Sequence, residues 1–326
     1  MNLSRRQLLR LVAGIAATTL VGCTESEEQR SATTFNFDTV CAIAGVMSQE
    51  VLDESVALCD KFEQLLSRTI ATSDVGRINA AGGEPVEVDA ITADVIERAL
   101  GYCEESDGLF DITIGAVSEL WDFAAGVVPS EQAVAEALPH VGWRGVQVEG
   151  RTVRLLDPRA RIDLGGIAKG YIADALIDLL VERGVSSASV NLGGNVAVLG
   201  AKPNGQPWMV GVRDPADEGG TKVVAKLRMT GGSMVTSGLY ERSFERDGQR
   251  YWHILDPRTG LPVQTDLISA SIYSERSIDG DGYTKPLFMW GADEALRHLA
   301  EKPQLQALLI TMDGDIRTTP SADFEL

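Results

Sequence analysis

Few residues in this chain pair a reactive side chain with a local pattern that would hold it, and His253 comes first. It stands in "HILDPRTGLPV" (253–263), where an apolar stretch runs into an Asp-Pro turn. The chain has only 3 histidines, and imidazole titrates near neutrality, which suits it to take a proton from a hydroxyl. The same position also suits a structural histidine bonded to the turn backbone. The second stretch is "RIDLGGIAKGYIADAL" (161–176), in which Asp163 ends an apolar strand and Gly165, Gly166, Lys169 and Gly170 lead into a helix. Glycine lets another group approach the main chain or permits a positive φ, and a helix start presents free N–H groups that attract anions. With Lys169 beside them, these residues describe an anion site or a tight strand-to-helix turn. A P-loop is excluded, because Gly170 follows the lysine where Ser or Thr is required. "DGDGY" (279–283) is no EF-hand either, because Trp290 stands where the bidentate carboxylate belongs.

The elements that must position these residues can be read from periodicity. Ala173, Leu176, Ile177 and Leu180 share one helix face, so a helix follows the glycines. Two more helices are predicted over 51–68, with Val56, Leu58, Cys59, Phe62, Leu65 and Leu66 buried, and over 92–106. A short one opens at Ser130. "TVCAIAGV" (39–46) reads as the first strand, and hairpins turn at Glu149–Gly150, Gly193–Gly194, Asp247–Gly248 and Asp313–Gly314. Pro286 suits the first position of a helix through "PLFMW", which would leave Lys285 outside it. Strands outnumber helices and meet mostly through hairpins, which predicts an α+β fold with antiparallel sheets.

The chain of 326 residues is 44% apolar with a formal charge of −18. That charge argues against nucleic-acid binding and against polybasic attachment to lipid, so an anionic ligand must be held by a few local donors. Residues 1–22 read as a leader: Arg5 and Arg6, then "LVAGIAATTLV", then "LVGC" ending at Cys23. The apolar run is too short to span a bilayer. It resembles a bacterial lipoprotein signal with a twin-arginine start, which implies that Cys23 is lipidated and holds the protein on the extracytoplasmic face of a cell membrane. Residues 23–34 then read as the lipidated cysteine and a polar tether, and 35–326 as one domain. Cys41, Cys59 and Cys103 show no CxxC spacing, and free buried thiols or one disulfide both suit them.

Five stretches taken in order resemble the FAD:protein FMN transferase (ApbE) family: "GLFDITIGAVSELW", "IDLGGIAKGYIAD", "NLGGN", "TSGLYER" and "HILDPRTGLPV". The resemblance covers about Phe37 to Met312. It implies two lobes enclosing a flavin cleft, FAD as substrate, Mg²⁺ near the pyrophosphate, and transfer of FMN to a Thr or Ser hydroxyl of an exported acceptor protein with release of AMP. It further implies that Asp163 and Lys169 contact FAD, that Leu109, Phe110 and Asp111 meet the flavin, that Leu255 lies against the nucleotide, and that the Gly166 carbonyl and Asp281 hold the ion. Such a reaction needs a base for the hydroxyl proton, for which His253 stands, and cations such as Lys169 to neutralise phosphate oxygens. Arg258 suits a carboxylate partner as well as phosphate, and Asn191 and Asn195 suit turn-capping as well as ligand binding.

Two positions depart from the family pattern. Thr69 stands where many members carry an aromatic residue that stacks on the flavin, so stacking falls to Phe37 or Phe110 or is weaker. Lys285 stands four residues after Asp281, where members carry a Thr or Ser ion ligand, and Thr284 sits one position early. Either Thr284 supplies the hydroxyl and Mg²⁺ is retained, the version preferred on sequence, or the Lys285 ammonium occupies or borders the ion position. Rival activities are an FAD pyrophosphatase and a non-catalytic FAD-binding lipoprotein. A solute-binding lipoprotein is disfavoured, because nothing reads as two βαβ lobes.

Overall fold

A computed structural model describes residues 28–217 and 219–326. The leader and Cys23 lie outside the described residues. The chain begins with β1 (Glu28–Asn36) and β2 (Thr39–Met47), joined by a two-residue turn at Phe37 and Asp38, both at φ 56°. The tether expected over 23–34 is corrected here: Glu28 onward is an edge strand. Its polar composition reads as unstructured, yet alternate side chains are half-covered while the others face solvent.

Helices α1 (Gln49–Leu66) and α2 (Asp74–Ala80), strand β3 (Val86–Glu87) and helix α3 (Ala90–Glu105) follow. Each helix is opened by its own Ser or Asp: Ser48, Ser73 and Asp89 accept backbone N–H bonds. On α1 the buried face is Val51, Leu52, Ser55, Cys59, Phe62 and Leu66, so Val56, Leu58 and Leu65 sit at its margin. Then come α4 (Gly115–Ser118), α5 (Glu131–Ala137), the hairpin β4 (Val146–Glu149) and β5 (Thr152–Leu155), α6 (Ala168–Glu182), β6 (Ala188–Leu192), β7 (Asn195–Leu199), β8 (Trp208–Arg213), β9 (Val223–Met229) and β10 (Ser233–Gly238). The chain closes with the hairpin β11 (Ser243–Arg246) and β12 (Gln249–Trp252), β13 (Leu267–Ser274), α7 (Ser277–Trp290), α8 (Ala292–Ala300), β14 (Gln306–Thr311), β15 (Ile316–Thr318) and β16 (Phe324–Glu325).

Eight strands form one antiparallel sheet in the order β1-β2-β6-β7-β10-β13-β14-β15. Its strands bury both faces, as the period of two shows. Ala307 and Leu309 join a core with α7 and α8, whereas Leu308 and Ile310 join one with the small sheet β16-β9-β8. Towards β2 and β6 the helix-side core continues under α1, α3 and α6. The fold is α+β with antiparallel sheets, as expected. Cys41, Cys59 and Cys103 are free and buried, and burial pushes the Cys59 and Cys103 thiols up to about 12, which leaves them inert. No helix among the described residues is long and apolar enough to cross a membrane.

One difference from the sequence reading reshapes the site. Helix α7 starts at Ser277, nine residues before Pro286, so Pro286 lies inside it and Asp281 and Lys285 are one turn apart on a regular helix. The hydrogen bonds that proline forgoes are offset by packing, since α7 is buried along most of its length, with Leu287 and Phe288 in the core.

Candidate active site

Helices α6 and α7 pack against each other at Gly170. A Cβ there would lie 2.6 Å from the Ser277 carbonyl oxygen and 2.7 Å from Ile278 Cα, so only glycine permits the approach. Gly165, Gly166 and Gly170 all lack positive φ, so close approach, not left-handed backbone, explains the last of them. Neither α6 nor α7 has an N-cap side chain of its own. Each instead receives an aspartate from the other helix. Asp281 accepts the Gly170 N–H at 2.7 Å, and Asp174 accepts Ser277 N–H at 2.7 Å and Ile278 N–H at 3.0 Å.

Around Asp281 the polar groups form a chain that runs from Lys285 to Lys169. Its Oδ1 receives the Lys285 ammonium at 2.7 Å, and its Oδ2 receives Asn195 Nδ2 at 2.8 Å besides the Gly170 N–H. Asn195 in turn accepts from Lys169 Nζ at 3.3 Å. Burial opposes ionisation of Asp281, but Lys285, Lys169 and the Gly170 N–H outweigh it and hold the carboxyl below the usual range. Thr284 is fully buried; its hydroxyl accepts from Ser237 at 3.0 Å and donates back to the Asp281 carbonyl at 3.3 Å.

His253 follows β12, with its backbone N–H on the Arg242 carbonyl. Its Nδ1 is buried without a hydrogen-bond partner, so the turn backbone does not hold the ring. Burial, with the charges of Arg242, Lys285 and Lys169, pushes the imidazole down to about 3. It is a neutral group standing in a field of cations. Leu255 is buried with Val117 and Trp121, and the Trp121 indole donates to the Gly260 carbonyl, which ties the 108–123 segment to the Asp256–Gly260 turn. Arg258 pairs with Asp256 at 2.6 Å, which decides its alternatives in favour of the carboxylate.

Asp163 bonds Gly165 N–H at 2.9 Å, Ser118 Oγ at 3.0 Å and Arg68 Nε at 3.2 Å. The Phe110 ring packs beside Gly166, 3.0 Å from where a Cβ would stand, and is only 6% exposed. Asp111 spends its carboxylate on Thr113 and on Trp143 N–H, so any contact of the Leu109–Asp111 triplet with a ligand falls to its backbone or to Leu109. Phe37 is held at its turn by Glu63, which accepts its N–H at 3.0 Å. A bulky residue at positive φ is costly and concentrates at functional positions. Of the two aromatics offered for stacking, Phe37 is the one at a turn tip and Phe110 the one inside the core. Thr69 is exposed and bonded to Ser67.

Sequence reasoning missed Arg68, Ser118, Arg242 and Glu241. Glu241 interacts with Lys169, Arg213, Lys285 and Arg242, and the adjoining Arg242 acts on His253. The quoted "TSGLYER" contains both, and a charged pair 11 and 12 residues before a candidate base is the signal that was available. Asn195 was weighed on sequence without its partners, which come from two helices.

The model of the ApbE family matches residues 33–309. The chain belongs to the ApbE family. An FAD:protein FMN transferase of Treponema pallidum is 38% identical over 286 residues, covering 82% of this chain and 79% of that protein. One from Klebsiella pneumoniae is 36% identical over 274 residues, covering 81% and 84%. Among solved structures, the ApbE protein of Thermotoga maritima superposes with a TM-score of 0.82 at 30% identity, covering 90% of this chain and 98% of that one. The Pseudomonas stutzeri flavinyl transferase ApbE gives 0.79 at 26% identity, covering 91% and 96%.

Proposed function

We propose that this ApbE-family chain is an FAD:protein FMN transferase that moves the FMN half of FAD onto a Thr or Ser hydroxyl of an exported acceptor protein and releases AMP. The observation that carries this reading is a His253 whose buried Nδ1 has no partner and which burial and the charges of Arg242, Lys285 and Lys169 keep neutral, with the Lys285 stem along Gly166. In the reaction, the acceptor oxygen bonds to the FMN-side phosphorus of the pyrophosphate. The bond from that phosphorus to the bridging oxygen breaks, and the oxygen leaves on AMP. His253 takes the hydroxyl proton. Lys169 and Lys285 neutralise charge gathering on the phosphate oxygens, and in doing so cease to depress the imidazole, so that substrate binding raises the basicity of the base it needs. Asp163, fixed by Arg68 and Ser118, and the backbone at Leu109–Asp111 orient FAD, with Phe37 at the cleft edge and Leu255 on the nucleotide side.

Mg²⁺ belongs to the family resemblance, and the donors implied for it fit it poorly here. Asp281 already holds three donors, Thr284 is bonded at its oxygen, and an ammonium stands 2.7 Å from the carboxylate oxygen an ion would use. Mg²⁺ demands near-octahedral oxygen ligation. Among the described residues no group of three His, Cys, Asp or Glu side chains converges on one point. No step is therefore routed through a divalent ion.

The anchor completes the reading: Cys23 carries lipid, and the enzyme works from the extracytoplasmic face of a cell membrane. Replacing Cys23 by Ala should release or mislocalise the protein, and unchanged membrane retention would count against lipidation. The activity is tested by incubating the protein with FAD and an FMN-acceptor domain, following AMP and covalent flavin fluorescence on the acceptor. AMP that appears only with acceptor supports the transferase. AMP and free FMN without acceptor would make it a pyrophosphatase, and intact FAD a binding protein.

A further inference from the structure

Lys285 is the residue that the family resemblance leaves unexplained, and the structure gives it a definite place. Its side chain is 18% exposed and that of Asp281 1%, with Nζ 2.7 Å from Asp281 Oδ1 and 3.1 Å from the Asp281 carbonyl. Its Cε lies 3.7 Å from where a Cβ on Gly166 would stand, so the lysine stem runs along Gly166. The ammonium therefore reaches the carboxylate while the stem passes the glycine, the two positions at which the resemblance sets an ion. Solvent is not its destination. The regular helix through Pro286 makes this reach inevitable, because residues four apart on a helix face the same way.

We propose that in this protein the Lys285 ammonium replaces the divalent cation, so that with Lys169 two fixed single charges do the work of one dication. The inference rests on the transferase reading given above. Three features agree with it. Three of the four lone-pair sites of the Asp281 carboxylate are taken, Oδ2 by Asn195 and Gly170 and Oδ1 by the Lys285 ammonium itself. Thr284, the residue that would have served as hydroxyl ligand, faces Ser237 on β10. Lys169 and Lys285 act together on Asp281 and on His253, and Asn195 links Lys169 to the same carboxylate. An ammonium carries three donors and one charge, enough to bind phosphate oxygens though less polarising than a metal. A dication placed at the same oxygen would meet an ammonium 2.7 Å from it and be repelled.

The test begins with the unaltered protein. After exhaustive EDTA treatment, FMN transfer should continue within about twofold of its rate in excess Mg²⁺, and Mn²⁺ titrated into the protein with FAD should show no stoichiometric site by electron paramagnetic resonance. Lys285→Thr should lose about a hundredfold in EDTA, the scale of removing one preorganised charge-stabilising group, and recover when Mg²⁺ is supplied. It should also gain one Mn²⁺ site. Loss of wild-type transfer in EDTA with recovery on Mg²⁺, or one bound Mn²⁺ in the wild type, overturns the proposal. So does a Lys285→Thr protein that folds and gains no metal requirement. Should no transfer occur under any condition, the transferase reading fails, and the Mn²⁺ titration still decides the role of the lysine.

Discussion

Asp174 and Asp281 perform the same structural task one turn apart at the crossing of one helix pair, and their surroundings make one a brace and the other part of a site. Each caps the helix that the other belongs to. On the Arg276 side of the crossing, burial pushes Asp174 up to about 6 against the pull of two backbone N–H groups and Arg276, whose guanidinium is 42% exposed and shared with Asp178. On the lysine side, two lysines hold Asp281 below the usual range although it is fully buried. The cap is common to both. What differs is cation density: Asp281 faces Lys169 and Lys285, whose charges, with that of Arg242, also govern His253. An aspartate at a helix start is thus no functional signal by itself; the excess positive charge facing an open glycine turn is.

The largest break in this comparison is Asp281→Ala. It strands a buried ammonium, an amide and a helix N–H together, and should cost about 3–5 kcal/mol in urea unfolding, along with FAD binding. Lys169→Ala should spare most of the fold but weaken FAD binding by about 1.5–3 kcal/mol, the worth of a hydrogen bond to a charged group, measured by flavin fluorescence. Equal FAD affinity in Lys169→Ala and wild type would remove the Asp281 surroundings from the site. Gly170→Ala disturbs both caps at once, because the new methyl meets backbone, and should destabilise by about 1–3 kcal/mol.

Asp174→Asn keeps one acceptor oxygen and should cost about 1 kcal/mol near neutral pH. It also tests the sign of the titration. The native carboxyl binds its proton more tightly than the unfolded one, so this contribution is fully present below the unfolded value of 3.8 and is lost as pH rises through about 6. The stability difference between wild type and Asp174→Asn should drift against the wild type across that window. A flat difference would place Asp174 in water. The smallest effect belongs to Arg276→Ala, a half-exposed pair worth about 0–1 kcal/mol, with FAD affinity unchanged.

Much of this was legible one residue at a time. The turns at Asp247–Gly248 and Asp313–Gly314 lie between the strands expected of them, and the one expected at Glu149–Gly150 falls one residue later, at Gly150–Arg151, since turn chemistry is local. The apolar face of α6 was legible for the same reason: Ala173, Leu176 and Leu180 are fully buried. The polar strand β1 was not, because its order comes from pairing with β2, and pairing leaves no mark on a solvated edge. Nor was the helix that carries Asp281. Proline's preference for the first helical turn is a local energy of a few kcal/mol, and the burial of α7 against α6, β10 and β13 exceeds it.

The sequence by itself determined the family, the α+β pattern and the residue types available for phosphate chemistry, because motif order, hairpin turns and helical spacing are properties of contiguous chain. Tertiary structure alone decided the partnerships. Whether Lys285 reaches Asp281 depends on Pro286 being carried inside a helix. The setting of Asp281 between Asn195 and Gly170 depends on three elements separated by up to 111 residues meeting at one carboxylate. The neutrality of His253 depends on burial and on cations from α6, α7 and the segment after β10. Electrostatic energy follows distance through space, and those distances exist only once the sheet has brought its strands together.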